Sequence, residues 1–274
     1  MEVIRDFRRI FPTVMDKAYE QSMKFRTVRE IMSDDIMTIS PSDNMLEASK
    51  IMGEKHIGSL IVLQDEEPIG IITERDLLSR VLSQDLKPDE VSVGAIMSAP
   101  LISISPKSTI KEAAQMMNKK KGRLAVFENT KLIGIITASD LIKSLPLVSE
   151  TRTKVDEFMS KKVYTSDWNS HVSTVAKIMG EKRIGSMIIT KNGEPVGIFT
   201  ERDLLTAFLA KHRPLEVHVG EVCSSPIIAI PSMTSINDTA HIMASRHIKR
   251  LPVVAEEKMI GIITARDLVE AYAQ

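Results

Sequence analysis

A chain of 274 residues, 43% apolar and 26% charged, can bury a substantial core and is long enough for about two domains. Its 36 basic and 36 acidic residues cancel, so no global field draws it to nucleic acid or membrane, and any anion site must be local. One cysteine, Cys223, excludes an intrachain disulfide, and no apolar run nears the roughly 20 residues of a membrane span.

Residues 1–25 are too charged throughout for a secretory signal, so a cytoplasmic location is the expectation. Val3, Ile4, Phe7, Ile10 and Phe11 form an apolar stripe with Arg5, Arg8 and Arg9 on other faces, which predicts an N-terminal helix within residues 1–27. Such a helix would cover part of a module or a partner subunit; an arm touching nucleic acid or membrane is the sharper alternative. A short turn follows over residues 28–32, ending in the sulphur-bearing Met32, and then an extended segment closed by Pro41. Met45, Ala48, Ile51 and Met52 fall on one helical face flanked by Glu47, Lys50 and Glu54. Residues 58–63 and 68–73 read as two apolar strands around the polar turn Asp65-Glu66-Glu67. A last helix begins near Glu74 and runs through Leu77, Leu78 and Val81, which makes the unit β-α-β-β-α.

The unit is repeated. Gly70-Ile-Ile-Thr-Glu-Arg-Asp76 recurs as Gly134-Ile-Ile-Thr-Ala-Ser-Asp140, Gly197-Ile-Phe-Thr-Glu-Arg-Asp203 and Gly261-Ile-Ile-Thr-Ala-Arg-Asp267. The glycines are 64, 63 and 64 residues apart (134−70, 197−134, 261−197), so four copies of one supersecondary unit are expected. The opening turns are 28–32, 93–97, 155–159 and 219–223, with Cys223 standing where the others carry Met and read as a small core residue. The methionines at 45, 52, 116, 117, 179 and 243 are read as packing between repeats. Repeats one and three also share Lys-Ile-Met-Gly-Glu-Lys (50–55 and 177–182) and Ile-Gly-Ser, which suggests a pair of repeats that was itself doubled about the polar stretch 149–154.

Each copy ends a strand with Thr and Asp three residues apart: Thr73 and Asp76, Thr137 and Asp140, Thr200 and Asp203, Thr264 and Asp267. One reading makes Thr an N-cap and Asp a first-turn acid favoured by the helix dipole. The other gives the carboxylate both hydroxyls of a ribose, with the Thr hydroxyl beside it. Retention of both residues in all four copies, while their neighbours vary, favours the ligand. The glycine three residues before each Thr would let a ring approach the strand.

Four units ending in Gly-φ-φ-Thr-x-x-Asp (φ apolar) resemble cystathionine-β-synthase (CBS) domains, and two in tandem resemble a Bateman module. The resemblance covers residues 28–272 or so. It implies an α/β fold: a first module over 28–148 (CBS 28–84 and 93–146), a linker at 149–154, and a second module over 155–274 (CBS 155–210 and 219–273). Paired repeats in this family bind adenosine derivatives in clefts between their sheets and regulate a partner. What it implies for the site, beyond the four Thr and four Asp, is a base pocket lined by Thr38 and Ile39. Ser103 and Ile104, and Ala229 and Ile230, take that place in the second and fourth copies. The third copy departs from the pattern at Val163-Tyr-Thr-Ser-Asp-Trp168, where Tyr164 or Trp168 could stack or simply pack. The turn into the second strand, Ile57-Gly58-Ser59 and Ile184-Gly185-Ser186, is expected near the ligand. Basic residues Arg123, Lys249 and Arg250, with Arg75, Arg202 and Arg266 inside the motif, are expected near phosphate; the second copy has Ser139 instead.

No catalytic constellation accompanies these residues. The six histidines are scattered, and no nucleophile elbow, phosphate loop or Cys-x-x-Cys occurs. The expectation is therefore a stand-alone, non-enzymatic sensor without a catalytic cofactor. Its regulatory ligand would be an adenine nucleotide, AMP, ADP or ATP first, in an energy-sensing role. It is expected to act through an unidentified protein partner and to form a homodimer through flat helical faces. The alternatives are an S-adenosylmethionine or methylthioadenosine sensor, a nucleic-acid binder using the N-terminal arm and the Lys119–Lys121 turn, and a purely structural assembly protein whose clefts stay empty.

Overall fold

The structure, a computed structural model, describes residues 25–120, 122–145 and 153–273. The expected N-terminal helix and the linker residues 149–152 lie outside the described residues.

Four separate three-stranded sheets carry the fold, one per repeat. The first holds β1 (Thr38–Ile39), β2 (Ser59–Gln64) and β3 (Glu67–Thr73); the others hold β4 (Ser103–Ile104), β5 (Leu124–Glu128) and β6 (Lys131–Ile136), then β7 (Thr165–Asp167), β8 (Ser186–Lys191) and β9 (Glu194–Thr200), then β10 (Ile230–Pro231), β11 (Arg250–Ala255) and β12 (Lys258–Thr264). In each sheet the first two strands are parallel and the last two form an antiparallel hairpin, as β1-β2-β3 illustrates. A parallel pair needs a crossover, and the apolar-striped helices α1 (Met45–Glu54), α2 (Ile110–Lys120), α4 (Val172–Lys182) and α5 (Ile236–Arg246) supply it. Met45, Ala48 and Met52 of α1 are buried, as the periodicity predicts. The hairpin turn of the first repeat puts Asp65 (φ 50°) and Glu66 (φ 66°) in left-handed conformations, the turn whose twist matches the flanking strands. α3 (Ala138–Lys143) and α6 (Ala265–Ala273) close the second and fourth repeats. In the first and third, the closing helix widens to a π-bulge at Leu77–Val81 and Leu204–Phe208, then ends in left-handed Asp85 and His212.

Each opening turn packs not on its own repeat but on the other repeat of the same half of the chain. Ser33 exchanges backbone hydrogen bonds with Ile135 (2.9 Å each way), Ser98 with Ile71, Ser160 with Ile262 and Ser224 with Ile198. The sulphurs explain the motif glycines. A Cβ at Gly70 would lie 2.8 Å from Met97 Sδ, at Gly134 2.7 Å from Met32 Sδ, at Gly197 2.3 Å from Cys223 Sγ, and at Gly261 2.6 Å from Met159 Sδ. The sequence reading reserved those glycines for a ligand ring; what approaches them is the chain's own Met or Cys and the following carbonyl. Cys223 is half-buried, and burial pushes its thiol upward, as suits a packing residue.

The chain divides into two compact units, and each takes one repeat core from either half. One consists of 36–101 with 163–227; the other of the described part of Met1–Asp35 with 102–162 and 228–274. In the first unit a single core runs through repeats one and three, from Met45, Met52, Leu77 and Leu78 to Val175, Met179, Leu205 and Phe208. Its helices meet crosswise: α1 packs on 204–211 and α4 on 77–84. In the second unit α2 packs on α6, and α3 on α5. Helical faces thus cover one another inside each unit. Met116 is half-buried, while Met117, Met179 and Met243 are buried in these interfaces.

Candidate functional site

The four Thr-x-x-Asp motifs adopt one geometry. In the first, Asp76 Oδ2 accepts from Thr73 N (3.0 Å) and Thr73 Oγ1 (2.6 Å), while Asp76 N donates to Thr73 Oγ1 (3.3 Å). Thr137 and Asp140 repeat it with 2.8 and 2.7 Å contacts, Thr200 and Asp203 with 2.8 and 2.8 Å, and Thr264 and Asp267 with 2.7 and 2.7 Å. The Thr is extended and starts the helix, so the pair is a capping box that satisfies orphan N–H groups. The capping role is therefore real in every copy. It occupies Oδ2 and leaves Oδ1 outside the box, so capping does not exhaust the carboxylate.

The turn into the second strand stands beside each box. Glu74 N donates to Gly58 O (3.2 Å), Glu201 N to Gly185 O (3.1 Å) and Ala265 N to Lys249 O (2.9 Å). Ser59 is the cross-strand partner of Thr73, Ser186 of Thr200 and Arg250 of Thr264. Arg123 directly precedes β5, whose Leu124 pairs with Ile136 next to Thr137. Local pairing therefore gathers Thr and Asp at one end of each sheet, with the Gly-Ser turn beside them in the first and third and Arg123 or Arg250 in the second and fourth. Ile57 and Ile184 are half-buried, each donating its N–H to the end of the preceding helix, at Met52 O and Met179 O. Thr38 is exposed and Ile39 buried on β1, level with Ile61 and Val62, so this pair lies across the central strand from β3. Ser103 and Ile104 follow the same pattern; Ile230 is buried on β10.

The register resolves the third copy. Thr165 and Ser166 occupy the places of Thr38 and Ile39, opposite Ile188 and Ile189. Trp168 takes the place of Pro41: Gly94 N donates to Pro41 O (2.9 Å) and Gly220 N to Trp168 O (3.0 Å). A Cβ at Gly220 would lie 2.0 Å from the indole, and Lys191 Nζ stands 4.9 Å from the ring centroid. Trp168 thus packs against a glycine and has a lysine beside its ring. Tyr164 packs against the unit's core.

The motif arginines separate. Arg75 Nε lies 3.4 Å from Glu201 Oε1, linking repeats one and three. Arg202 is half-buried and Arg266 exposed. Glu74 and Glu201 are buried acids that the sequence reading passed over. Their signal was available: only repeats one and three have Glu in that place, and those two repeats share a core. Arg80 Nε lies 3.5 Å from Asp76 Oδ1, so the oxygen outside the first capping box already faces a cation. At Asp267 burial raises the carboxyl above its usual range against the opposing pull of the Thr264 hydrogen bonds. Lys121 lies outside the described residues.

Comparison with known proteins bears on the family and the fold. The family model described as the CBS domain matches residues 28–83, 93–147, 155–210 and 219–274. An uncharacterised protein of Methanopyrus kandleri is 39% identical over 142 residues, covering 51% of this chain and 71% of that protein. Another, from Methanocaldococcus jannaschii, is 24% identical over 265 residues, covering 90% of this chain, which spans only 62% of that relative's length. A crystal structure from the same organism superposes with a TM-score of 0.76 at 22% identity, over 90% of this chain and all of that one. Among the described residues no helix is long and apolar enough to cross a membrane.

Proposed function

From the premise that the chain belongs to the CBS-domain family, we propose that it is a regulatory sensor of adenosine-containing ligands, AMP, ADP or ATP foremost, that passes ligand state to a partner protein. The observation that carries this reading is the fourfold capping box: Oδ2 holds the helix start while Oδ1 lies outside the box, beside a Gly-Ser turn in the first and third copies and a basic residue in the second and fourth. A vicinal diol needs a carboxylate already oriented at a strand end, and the box fixes that orientation without using both oxygens. Support comes also from the M. jannaschii protein of the same fold, described as a proposed archaeal homolog of g-AMPK. The division into two modules about residues 149–154 belongs to the same proposal. Because helical faces are covered inside each unit, a homodimer would have to use another surface.

The test separates ligand from cap. Asp76→Asn and Asp203→Asn keep an oxygen for the box but lose the charge. A nucleotide at 100 times its dissociation constant should stabilise the wild type by about 2.7 kcal/mol. The Asn variants should keep their ligand-free Tm yet bind about tenfold or more weakly, since a charged hydrogen bond is worth about 1.5–3 kcal/mol. Stabilisation by S-adenosylmethionine or methylthioadenosine alone would move the assignment to those ligands. No stabilisation by any of them, or unchanged affinity in both variants, would refute the ribose assignment.

A further inference from the structure

Two exposed histidines that the CBS reading does not use face one another where the segment leading into the fourth opening turn crosses the start of α4. His171 and His218 are antiparallel bridge partners. Val172 N donates to Val217 O (3.0 Å) and Val219 N to Ser170 O (2.8 Å), so the histidines form the non-hydrogen-bonded pair, whose side chains stand closest. Their ring centroids are 5.3 Å apart at an interplanar angle of 40°. Two imidazoles sharing one tetrahedral ion at bond lengths of about 2.0–2.1 Å would have centroids about 5 Å apart. His218 Nδ1 lies 2.6 Å from Asn169 O. A carbonyl only accepts, so Nδ1 is the donor, and in the neutral ring this tautomer leaves the lone pair on Nε2, the arrangement that orients a metal-binding histidine.

Both residues occupy helix N-cap positions, and neither side chain caps. The corresponding bridge in the first repeat pairs Asn44 with Ser92, and there Asn44 accepts from Glu47 N at 2.9 Å in the ordinary way. Histidine at 171 therefore forgoes a cap of about 1 kcal/mol that the homologous position keeps.

We propose that His171 and His218 form a two-imidazole site for a late first-row divalent cation such as Zn2+, which clips residues 213–218 to the N-terminus of α4. Among the described residues no third His, Cys, Asp or Glu completes a cluster, so solvent or a solute donor fills the remaining positions. Imidazole nitrogen selects Zn2+, Ni2+ and Cu2+ over Mg2+ and Ca2+.

Titrating the metal-free full-length chain with Zn2+ in a calorimeter tests this, with Mg2+ as the comparison ion. The wild type should take up one Zn2+ and gain Tm, and Mg2+ should do neither. His171→Ala and His218→Ala, each checked for native circular dichroism, should each weaken Zn2+ binding about tenfold or more. His241→Ala, on the exposed side of α5, should leave binding unchanged. Absence of Zn2+ uptake by the wild type, affinity unchanged from the wild type in both single variants, or loss of binding in His241→Ala would each overturn the assignment.

Discussion

At the scale of single residues the carboxylates divide by what folding does to them. Asp156, in the third opening turn, accepts from Ser232 Oγ (2.7 Å) and Met233 N (2.6 Å). Burial pushes its carboxyl up, but these hydrogen bonds and nearby Lys161 overcome that and hold it below the ordinary value. A lowered folded value means the contribution to stability is present above the unfolded pKa and is lost as pH falls through the folded one. Asp156→Ala should therefore lower Tm at neutral pH, with the difference from wild type shrinking on acidification; thermal scans across the acidic range would show it. Asp267 is the opposite case. Its raised value means folding favours the protonated form, a contribution complete below the unfolded pKa and lost as pH rises through the folded one. Asp267→Asn retains an acceptor for Thr264 and removes that ionisation cost, so its Tm at neutral pH should match or exceed wild type. A marked loss there would mean the charge itself supports the fold.

At the scale of elements, close backbone approach decides which sequences are tolerated. Gly180 of α4 faces the π-bulged helix of the first repeat: a Cβ there would stand 2.2 Å from Leu78 O, a backbone atom that cannot swing aside. Gly53 of α1 makes the equivalent contact, 2.8 Å from Ala210 Cβ and 3.0 Å from Leu205 O. Gly180→Ala would gain about 1 kcal/mol of helix propensity, but overpacking of this kind costs about 1–3 kcal/mol or more. Urea unfolding should show net destabilisation, larger for Gly180→Ala than for Gly53→Ala. A second pair tests the sulphur contacts: Gly197→Ala should destabilise, and Cys223→Ala in the same chain should recover part of the loss, because the clash is with Sγ. Additive losses would show that the neighbouring Ser224 carbonyl dominates instead.

At the scale of the whole molecule, each compact unit needs both halves of the chain. The half ending at residue 148 contains Met45, Met52, Leu77, Leu78 and Val81, all buried against residues of the other half in a shared core. Expressed alone, that half should expose this apolar face and pair with a second copy, since repeats one and three present matching residues to each other. Light scattering should find a dimer or larger species; a stable monomer would mean the face is not the main source of cohesion.

Four repeats, their strand and helix types, the methionine faces and the Thr-x-x-Asp boxes were all legible in the sequence, because each is set by local spacing: period two, period three to four, or a cap three residues long. The resemblance of repeats one and three was legible too, but its cause was not. The Gly53 and Gly180 contacts and the Arg75–Glu201 pair belong to a helical interface between segments more than 100 residues apart. Contacts nearer in sequence but still beyond local spacing are the sulphur that fills each motif glycine, Trp168 standing in for Pro41, and two scattered histidines that meet as bridge partners. Local sequence determines which elements form, since their hydrogen bonds close within a few residues. Which faces bury one another depends on distant segments arriving together, and tertiary packing alone decides that.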